Sequence, residues 1–210
     1  TNTMTTRPFF FFFSSAENTS CGLFLFRNFL SAADELFMDF DSNNFPWDTK
    51  PELFGERLPQ HAFLYLKKKK QIRKHPILAK LEELCESIEQ QFDGEITDVF
   101  CNRFQDNQQH RLDWHTDTYG AHIFVLSLGS PRNVEFRKLD ADATAANDTT
   151  TDVETITPNA GDLYFMPLSL NATHEHRVCS GEGTRISLVF FFRAPSYAKS
   201  YRITAMDRIR

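Results

Sequence analysis

The feature that most constrains this chain is a change of hydrophobic period near residue 94. Before it, residues 75–92 (HPILAKLEELCESIEQQF) carry apolar side chains at helical spacing, and Gly94 is placed to end a helix in the left-handed conformation. A helical first half followed by many strands predicts an α+β fold with a sandwich or small barrel. The expected strands are seven short β-rich runs between turn residues, at 96–104, 121–128, 134–139, 153–156, 162–166, 174–178 and 184–193.

Two further elements are predicted upstream. Residues 21–29 alternate apolar with small or polar side chains and indicate a strand, and Ser31 is placed to cap a short amphipathic helix over 32–40. Residues 41–59 contain three prolines and little periodicity, which is typical of a loop.

Composition excludes a disordered or disulfide-stapled chain. With 22 phenylalanines in 210 residues, the chain has enough apolar material for one sizeable core. The four cysteines are isolated, which favours a reducing compartment. Every apolar run is broken long before the roughly 18 to 20 residues that cross a bilayer, so we expect no membrane partner.

We expect one domain at 21–195, a flexible leader or presequence remnant at 1–20 and a C-terminal tail at 196–210. An edge strand is the alternative for the leader. We expect an intracellular monomer in the nucleus or cytoplasm. An organelle is the alternative, since the start of the chain is Ser/Thr-rich and poor in acidic residues.

Two short motifs carry residues that bind transition metals: His115-Thr-Asp117 and His174-Glu-His176. In an extended segment the side chains at i and i+2 share a face, so His115 and Asp117 can point at one ion. A distal histidine would complete the two-histidine, one-carboxylate set that leaves open positions on Fe(II). His174 and His176 share strand parity, so spacing leaves both open, and a structural histidine is the alternative for either motif.

The longer string CNRFQDNQQHRLDWHTD (101–117) resembles the AlkB-like family of Fe(II)/2-oxoglutarate dioxygenases. The similarity continues through residues 122–138, 160–167, 174–178 and 185–193, and covers about residues 20–195. The family pattern is Asn-x-Tyr, then Asp, then Trp-His-x-Asp, which is met in order by Asn102, Phe104, Asp106, Trp114, His115 and Asp117.

The resemblance implies a double-stranded β-helix (jelly roll) with N-terminal helices packed on one side. It implies that Fe(II) is bound by His115, Asp117 and His176, because His176-Arg-Val fits the family frame better than His174 does. It further implies that O2 and 2-oxoglutarate are cosubstrates. Residues Asn102, Arg185, Ser187 and Arg193 are then expected to bind 2-oxoglutarate, with Arg185 pairing its distal carboxylate.

The chain departs from the family at two positions. Phe104 replaces the tyrosine of Asn-x-Tyr, so it cannot donate a phenolic hydrogen bond to the cosubstrate. Phe191 replaces a second arginine, and the next arginine, Arg193, lies on the same strand face about 6 to 7 Å further along. Either a local offset brings Arg193 in, or that contact is missing. Each lost contact is expected to cost about 1 to 3 kcal/mol of 2-oxoglutarate binding.

Residues 67–74 (KKKKQIRK) place six cations in eight positions of an otherwise acidic chain. A solvated charge run or a localisation signal is one interpretation. The other is a nucleic-acid clamp, in which Lys67, Lys68, Lys69, Lys70 and Arg73 bind phosphates while Phe63 and Tyr65 stack on an extruded base.

The resemblance then implies oxidative demethylation of N1-methyladenine or N3-methylcytosine in DNA or RNA, releasing formaldehyde and succinate. One alternative is the same chemistry on a protein or small molecule. Another is a nucleic-acid-binding module of this fold with little turnover.

Overall fold

Two antiparallel β-sheets form the body of the protein. The structure is a computed structural model that describes residues 16–53, 55–67, 76–106, 109–117, 121–139 and 152–194. In chain order its elements are β1 (Ala16–Asn18), β2 (Phe24–Phe26), α1 (Ala33–Phe40), β3 (Glu52–Leu53), β4 (Glu56–Arg57), β5 (His61–Leu66), α2 (Pro76–Phe92), β6 (Glu95–Phe104), β7 (Leu112–His115), β8 (His122–Gly129), β9 (Val134–Lys138), β10 (Glu154–Ile156), β11 (Leu163–Met166), α3 (Leu168–Asn171), β12 (His174–Val178) and β13 (Arg185–Arg193).

The large sheet has the strand order β1-β2-β11-β8-β13-β6-β5, and the small sheet has the order β10-β9-β12-β7. β3 and β4 form a separate hairpin. Strands that are distant in sequence are neighbours in both sheets, as in a jelly roll. The predicted α+β fold with a double-stranded β-helix is therefore confirmed, and all seven strands expected after residue 94 are present.

Strand alternation divides the apolar residues between two cores. On β13, Ile186 and Leu188 face α1 and α2, whereas Phe191 faces the small sheet. Helix α2 covers the large sheet because its apolar residues recur at helical spacing, and its Phe92 ring lies 4.4 Å from that of Phe124. Helices α1 and α2 thus lie on one side of the large sheet, and the other side faces the small sheet.

The ends of the two long helices differ from the prediction. The N-cap of α1 is Ala32, which provides no side-chain cap, so the assignment of Ser31 as the cap is wrong. After α2 the residue with positive φ is Asp93 (φ 53°) rather than Gly94. Gly94 is required for space instead, because a Cβ there would collide with the Phe192 ring.

Three segments were missed by the periodicity. Strands β5 and β7 were not expected, and the β3–β4 hairpin lies in the stretch predicted as loop. Strand β1 lies in the stretch assigned to the leader and pairs with β2. The large sheet therefore extends further toward the N-terminus than residue 21. The tail at 196–210 lies outside the described residues. No helix in the described ranges is both long enough and apolar enough to span a membrane.

Candidate active site

Three potential metal ligands meet where β7 pairs with β12. His115 ends β7 and is the register partner of His176 on β12, which brings their rings to 4.2 Å between centroids. Asp117 follows β7 by two residues, and its Oδ2 lies 3.6 Å from Nε2 of His176. One ligand-capable atom from each of the three residues lies within 4.8 Å of the others. His174, the alternative distal histidine, is instead beside Thr173.

The protonation states of this group suit a divalent metal. Nδ1 of His115 lies 2.7 Å from the Asp113 carbonyl oxygen, which can only accept, so Nδ1 carries a proton and Nε2 is the nitrogen left for a metal. Burial, with a smaller effect of His115, lowers the pKa of His176 to about 3. Burial also raises the pKa of Asp117, and nearby His115 opposes that shift. Two neutral imidazoles and one carboxylate are donors that suit Fe(II).

Asn171 holds the backbone of Asp117 in place. Its Oδ1 accepts a hydrogen bond from the Asp117 N–H at 2.9 Å, and its Nδ2 donates to the Asp117 carbonyl at 2.6 Å. Asn171 is the last residue of α3, a short helix between β11 and β12, and is itself buried. The loop that carries Asp117 is thereby fixed to the segment that leads to His176.

Arg185 forms a buried cationic pocket at the start of β13. Its side chain has no exposed surface, and its Nη2 donates to Ser127 Oγ at 2.9 Å. Its Nε and Nη1 are buried without a hydrogen-bond acceptor, and no carboxylate in the described part of the chain lies within salt-bridge distance. Burial lowers the pKa of this guanidinium. A buried, unpaired cation is costly, so the pocket fits an anion such as the distal carboxylate of 2-oxoglutarate.

Asn102 and Ser187 continue the polar strip from β13 to β6. They are register partners, and Asn102 Nδ2 lies 3.4 Å from Ser187 Oγ. Gln60, which is fully buried ahead of β5, donates from Nε2 to Asn102 Oδ1 at 2.9 Å. Gln60 therefore fixes the Asn102 amide so that its NH2 group is directed toward Ser187.

Phe104 separates two guanidinium groups. Its ring centroid is 5.8 Å from the Cζ of Arg185 and 5.6 Å from the Cζ of Arg132. Arg132 is buried and donates to the backbone carbonyls of His110, Gln105 and Gly183. The ring is thus a wall of the Arg185 pocket and offers no polar atom to a ligand.

Arg193 does not reach this pocket. It is exposed at the opposite end of β13, eight residues and roughly 26 Å from Arg185 along an extended strand. The irregularity in this region falls between Phe191 and Phe192 in the pairing with β6, and the pairing with β8 stays regular. The assignment of Arg193 to 2-oxoglutarate is therefore wrong, and Phe191 is buried between the sheets.

The proposed base-stacking residues face away from the site. Tyr65 is buried against α2, where its hydroxyl donates to Glu82 at 2.7 Å, and the Phe63 ring packs 4.9 Å from that of Phe45. Both lie on the helix side because β5 pairs Phe63 with Cys101, a residue of the helix-side core. The residue between them on β5, Leu64, points to the opposite face of the sheet and is 38% exposed. The stacking role assigned to Phe63 and Tyr65 is wrong.

Lys67 is engaged within the protein. Its Nζ lies 2.5 Å from Oε1 of Glu89 on α2, so the structure gives it a carboxylate partner rather than a free position for phosphate. The rest of the predicted clamp, Lys68, Lys69, Lys70 and Arg73, lies outside the described residues.

Comparison with known proteins agrees with this geometry. Residues 96–194, which contain the three potential metal ligands and Arg185, match the family model of the 2OG-Fe(II) oxygenase superfamily. The chain carries a 2OG-Fe(II) oxygenase domain. This domain is that of Fe(II)/2-oxoglutarate-dependent dioxygenases, which confirms the predicted Fe(II), 2-oxoglutarate and O2.

Solved structures show the same fold. The structure of OsALKBH1, an AlkB homologue, superposes with a TM-score of 0.55 at 11% identity, covering 84% of this chain and 99% of that one. A 2OG-Fe(II) oxygenase family oxidoreductase from Burkholderia pseudomallei superposes with a TM-score of 0.52 at 14% identity, covering 82% and 85%. No curated protein matches the sequence. The oxygenase is thus AlkB-like in fold.

Three residues were missed from the sequence: Gln60 and Asn171, which position side chains or backbone of the site, and Tyr164, which is buried on β11 beside Arg185. Gln60 and Asn171 act through hydrogen bonds to distant segments, for which the sequence gives no spacing signal. Tyr164 had one available signal, because strand parity in residues 163–166 puts it on the face opposite Leu163 and Phe165.

Proposed function

We propose that this oxygenase oxidatively demethylates alkylated bases of the N1-methyladenine or N3-methylcytosine type in DNA or RNA. In this proposal His115, Asp117 and His176 hold Fe(II), while Arg185, Asn102 and Ser187 hold 2-oxoglutarate. The observation that carries the residue assignment is the buried guanidinium of Arg185, which has no carboxylate partner among the described residues and lies on the face of the large sheet toward the small sheet, whose strands β7 and β12 bring the three potential ligands together.

Each side chain has a defined task in this scheme. When bound, the metal and its cosubstrate supply the oxidation of a substrate C–H bond by O2, with 2-oxoglutarate converted to succinate and CO2. His115 and His176 donate neutral nitrogen atoms, and Asp117 supplies the negative charge. Arg185 orients the cosubstrate by its distal carboxylate, and the Phe104 ring keeps water from that contact.

The substrate follows from the resemblance to the AlkB-like family. Hydroxylation of a base N-methyl group gives a hemiaminal that loses formaldehyde and restores the base. The AlkB-like string at 101–117 and the fold shared with OsALKBH1 support this substrate class. The lysine-rich residues 68–74 support it by charge, as a group that can contact phosphates.

A protein or small-molecule substrate is the second candidate. It is favoured by the positions of Phe63, Tyr65 and Lys67: Tyr65 and Lys67 contact α2, and Phe63 packs on Phe45 on the same side of the large sheet, away from the site. Under this candidate the metal and 2-oxoglutarate residues keep their roles, and only the group that is oxidised changes.

The test is a turnover assay on the full chain. Protein loaded anaerobically with Fe(II) is mixed with O2, 2-oxoglutarate and an oligonucleotide with one N1-methyladenine or N3-methylcytosine, and succinate and formaldehyde are quantified. The proposal expects both products in equal amounts and neither above background with the unmethylated oligonucleotide. Succinate without formaldehyde would refute demethylation and leave the second candidate. No succinate with any substrate would favour a binding module.

Paired histidine variants test the metal assignment. His176→Ala should abolish turnover and Mn(II) binding, because it removes a donor from the buried group. His174→Ala is the matched control and should leave both unchanged. The opposite pattern would assign the distal position to His174.

A further inference from the structure

The Arg185 pocket lacks the phenol that the AlkB-like family places beside it. Phe104 stands at that position, and its ring faces the guanidinium without a polar atom. A carboxylate has about four lone-pair sites, and Nε and Nη1 of Arg185 carry only three N–H donors between them. A buried carboxylate with unpaired lone pairs would bind weakly, so a further donor is needed from another element.

Tyr164 is placed to supply that donor. It lies on β11 opposite Val125 of β8, and alternation puts it on the face that looks between the two sheets. Ser127, two residues along β8 on the same face, accepts the hydrogen bond from Arg185. Tyr164 is only 5% exposed and belongs to the same apolar cluster as Phe104, so its hydroxyl points into the protein.

The hydroxyl lies in the electric field of Arg185 and of Asp117. Burial raises the pKa of Tyr164, contact with the Arg185 guanidinium lowers it, and the charge of Asp117 raises it. The hydroxyl is therefore close enough to both groups to interact with each. With the pKa raised overall, the phenol keeps its proton at neutral pH and acts as a donor.

We propose that Tyr164 donates, from β11, the hydrogen bond to the distal carboxylate of 2-oxoglutarate that Phe104 cannot donate. This inference rests on the proposed 2-oxoglutarate site at Arg185. The family pattern has this tyrosine on β6, at the position of Phe104. In this protein the proposed donor is on β11, which is separated from β6 by β8 and β13.

The experiment measures binding to the full chain without turnover. Mn(II) replaces Fe(II), and the dissociation constants of 2-oxoglutarate and of 2-oxobutyrate, which lacks the distal carboxylate, are measured by calorimetry. Tyr164→Phe is compared with Tyr65→Phe, a matched control that removes a buried hydroxyl from the helix side of the sheet. Thermal unfolding and Mn(II) affinity of both variants show that the fold and the metal site are intact.

Tyr164→Phe should weaken 2-oxoglutarate binding about 10- to 100-fold, the range for a buried hydrogen bond to a charged group. It should leave 2-oxobutyrate binding unchanged within twofold, and Tyr65→Phe should change neither constant. In turnover, KM for 2-oxoglutarate should rise with little change in kcat. A Tyr164→Phe constant for 2-oxoglutarate within twofold of the unsubstituted protein would overturn the inference, and so would an equal loss for 2-oxobutyrate. Failure of the unsubstituted protein to bind 2-oxoglutarate would instead overturn the proposed site itself.

Discussion

Asn171→Ala tests whether the backbone of Asp117 must be held for the metal to bind. Asn171 makes two hydrogen bonds to Asp117, one to each polar group of its backbone. A buried hydrogen bond contributes roughly 0.5 to 1.5 kcal/mol, so about 1 to 3 kcal/mol holds this loop in place. If metal binding requires the held conformation, that energy corresponds to roughly 5- to 150-fold in affinity. Loss of an outer partner of a metal ligand commonly costs about 10- to 100-fold.

The assay is a Mn(II) titration in which free Mn(II) is read by electron paramagnetic resonance. Asn133→Ala is the control, because Asn133 is exposed and its amide oxygen accepts only a surface hydrogen bond from Thr157. Asn171→Ala should weaken Mn(II) binding at least fivefold, with the control within twofold. If Asn171→Ala unfolds at the unsubstituted temperature and binds Mn(II) equally well, then this clamp does not position Asp117.

Three further predictions concern stability, reactivity and nucleic-acid binding. Arg132→Met leaves three backbone carbonyls unpaired, so it should lower the free energy of unfolding, measured in urea, by about 3 kcal/mol or more. The control Arg111→Met removes an exposed ion pair and should change that free energy by less than about 1 kcal/mol. Burial raises the pKa of Cys85 to about 12 and raises that of Cys101 as well, so at pH 8 iodoacetamide should modify the half-buried Cys21 and Cys179 first by mass spectrometry. Equal rates at all four thiols would contradict the burial. Replacing Lys68, Lys69, Lys70 and Arg73 with Gln should reduce the slope of log K against log salt for DNA binding by about 3 to 4, while Lys67→Gln should alter it little because Lys67 pairs with Glu89. An unchanged slope in the fourfold variant would refute the hypothesis of a nucleic-acid clamp.

Local alternation was enough to predict much of the fold. The runs after residue 94 became strands because their apolar residues alternate strongly enough to fill two cores. His115 and Asp117 were predictable together, since two residues apart along an extended segment share a face. His176 was separable from His174 only by the family resemblance, and the register between β12 and β7 supplies the physical reason that spacing lacked.

The wrong site assignments come from two quantities that alternation does not give: the face of a strand that the helices cover, and the distance along the strand. Alternation groups Phe63 with Tyr65 but does not say which side α2 covers, and the sequence gives no register between β5 and β6. Arg193 was assigned from parity in the same way, although parity says nothing of distance along the strand. Asn171 acts between α3 and the loop after β7, whose contact is decided by the closed fold, so no local pattern could predict it. Parity predicts the face of Tyr164 but says nothing of its nearness to Arg185.

The arginine that Phe191 replaces is also not needed for the charge balance of the site. In the proposed site, Fe(II) and Asp117 would together carry one positive charge, Arg185 another, and 2-oxoglutarate two negative charges, so these groups would sum to zero. Arg132, whose Cζ lies 5.6 Å from the Phe104 ring centroid, donates to three carbonyls and lies in the field of Asp106. A second arginine at 191 would leave one buried cation without an anion, at a cost of several kcal/mol. An apolar residue at 191, with a neutral phenol at 164 as the additional donor, therefore satisfies the cosubstrate without adding a charge to the interior.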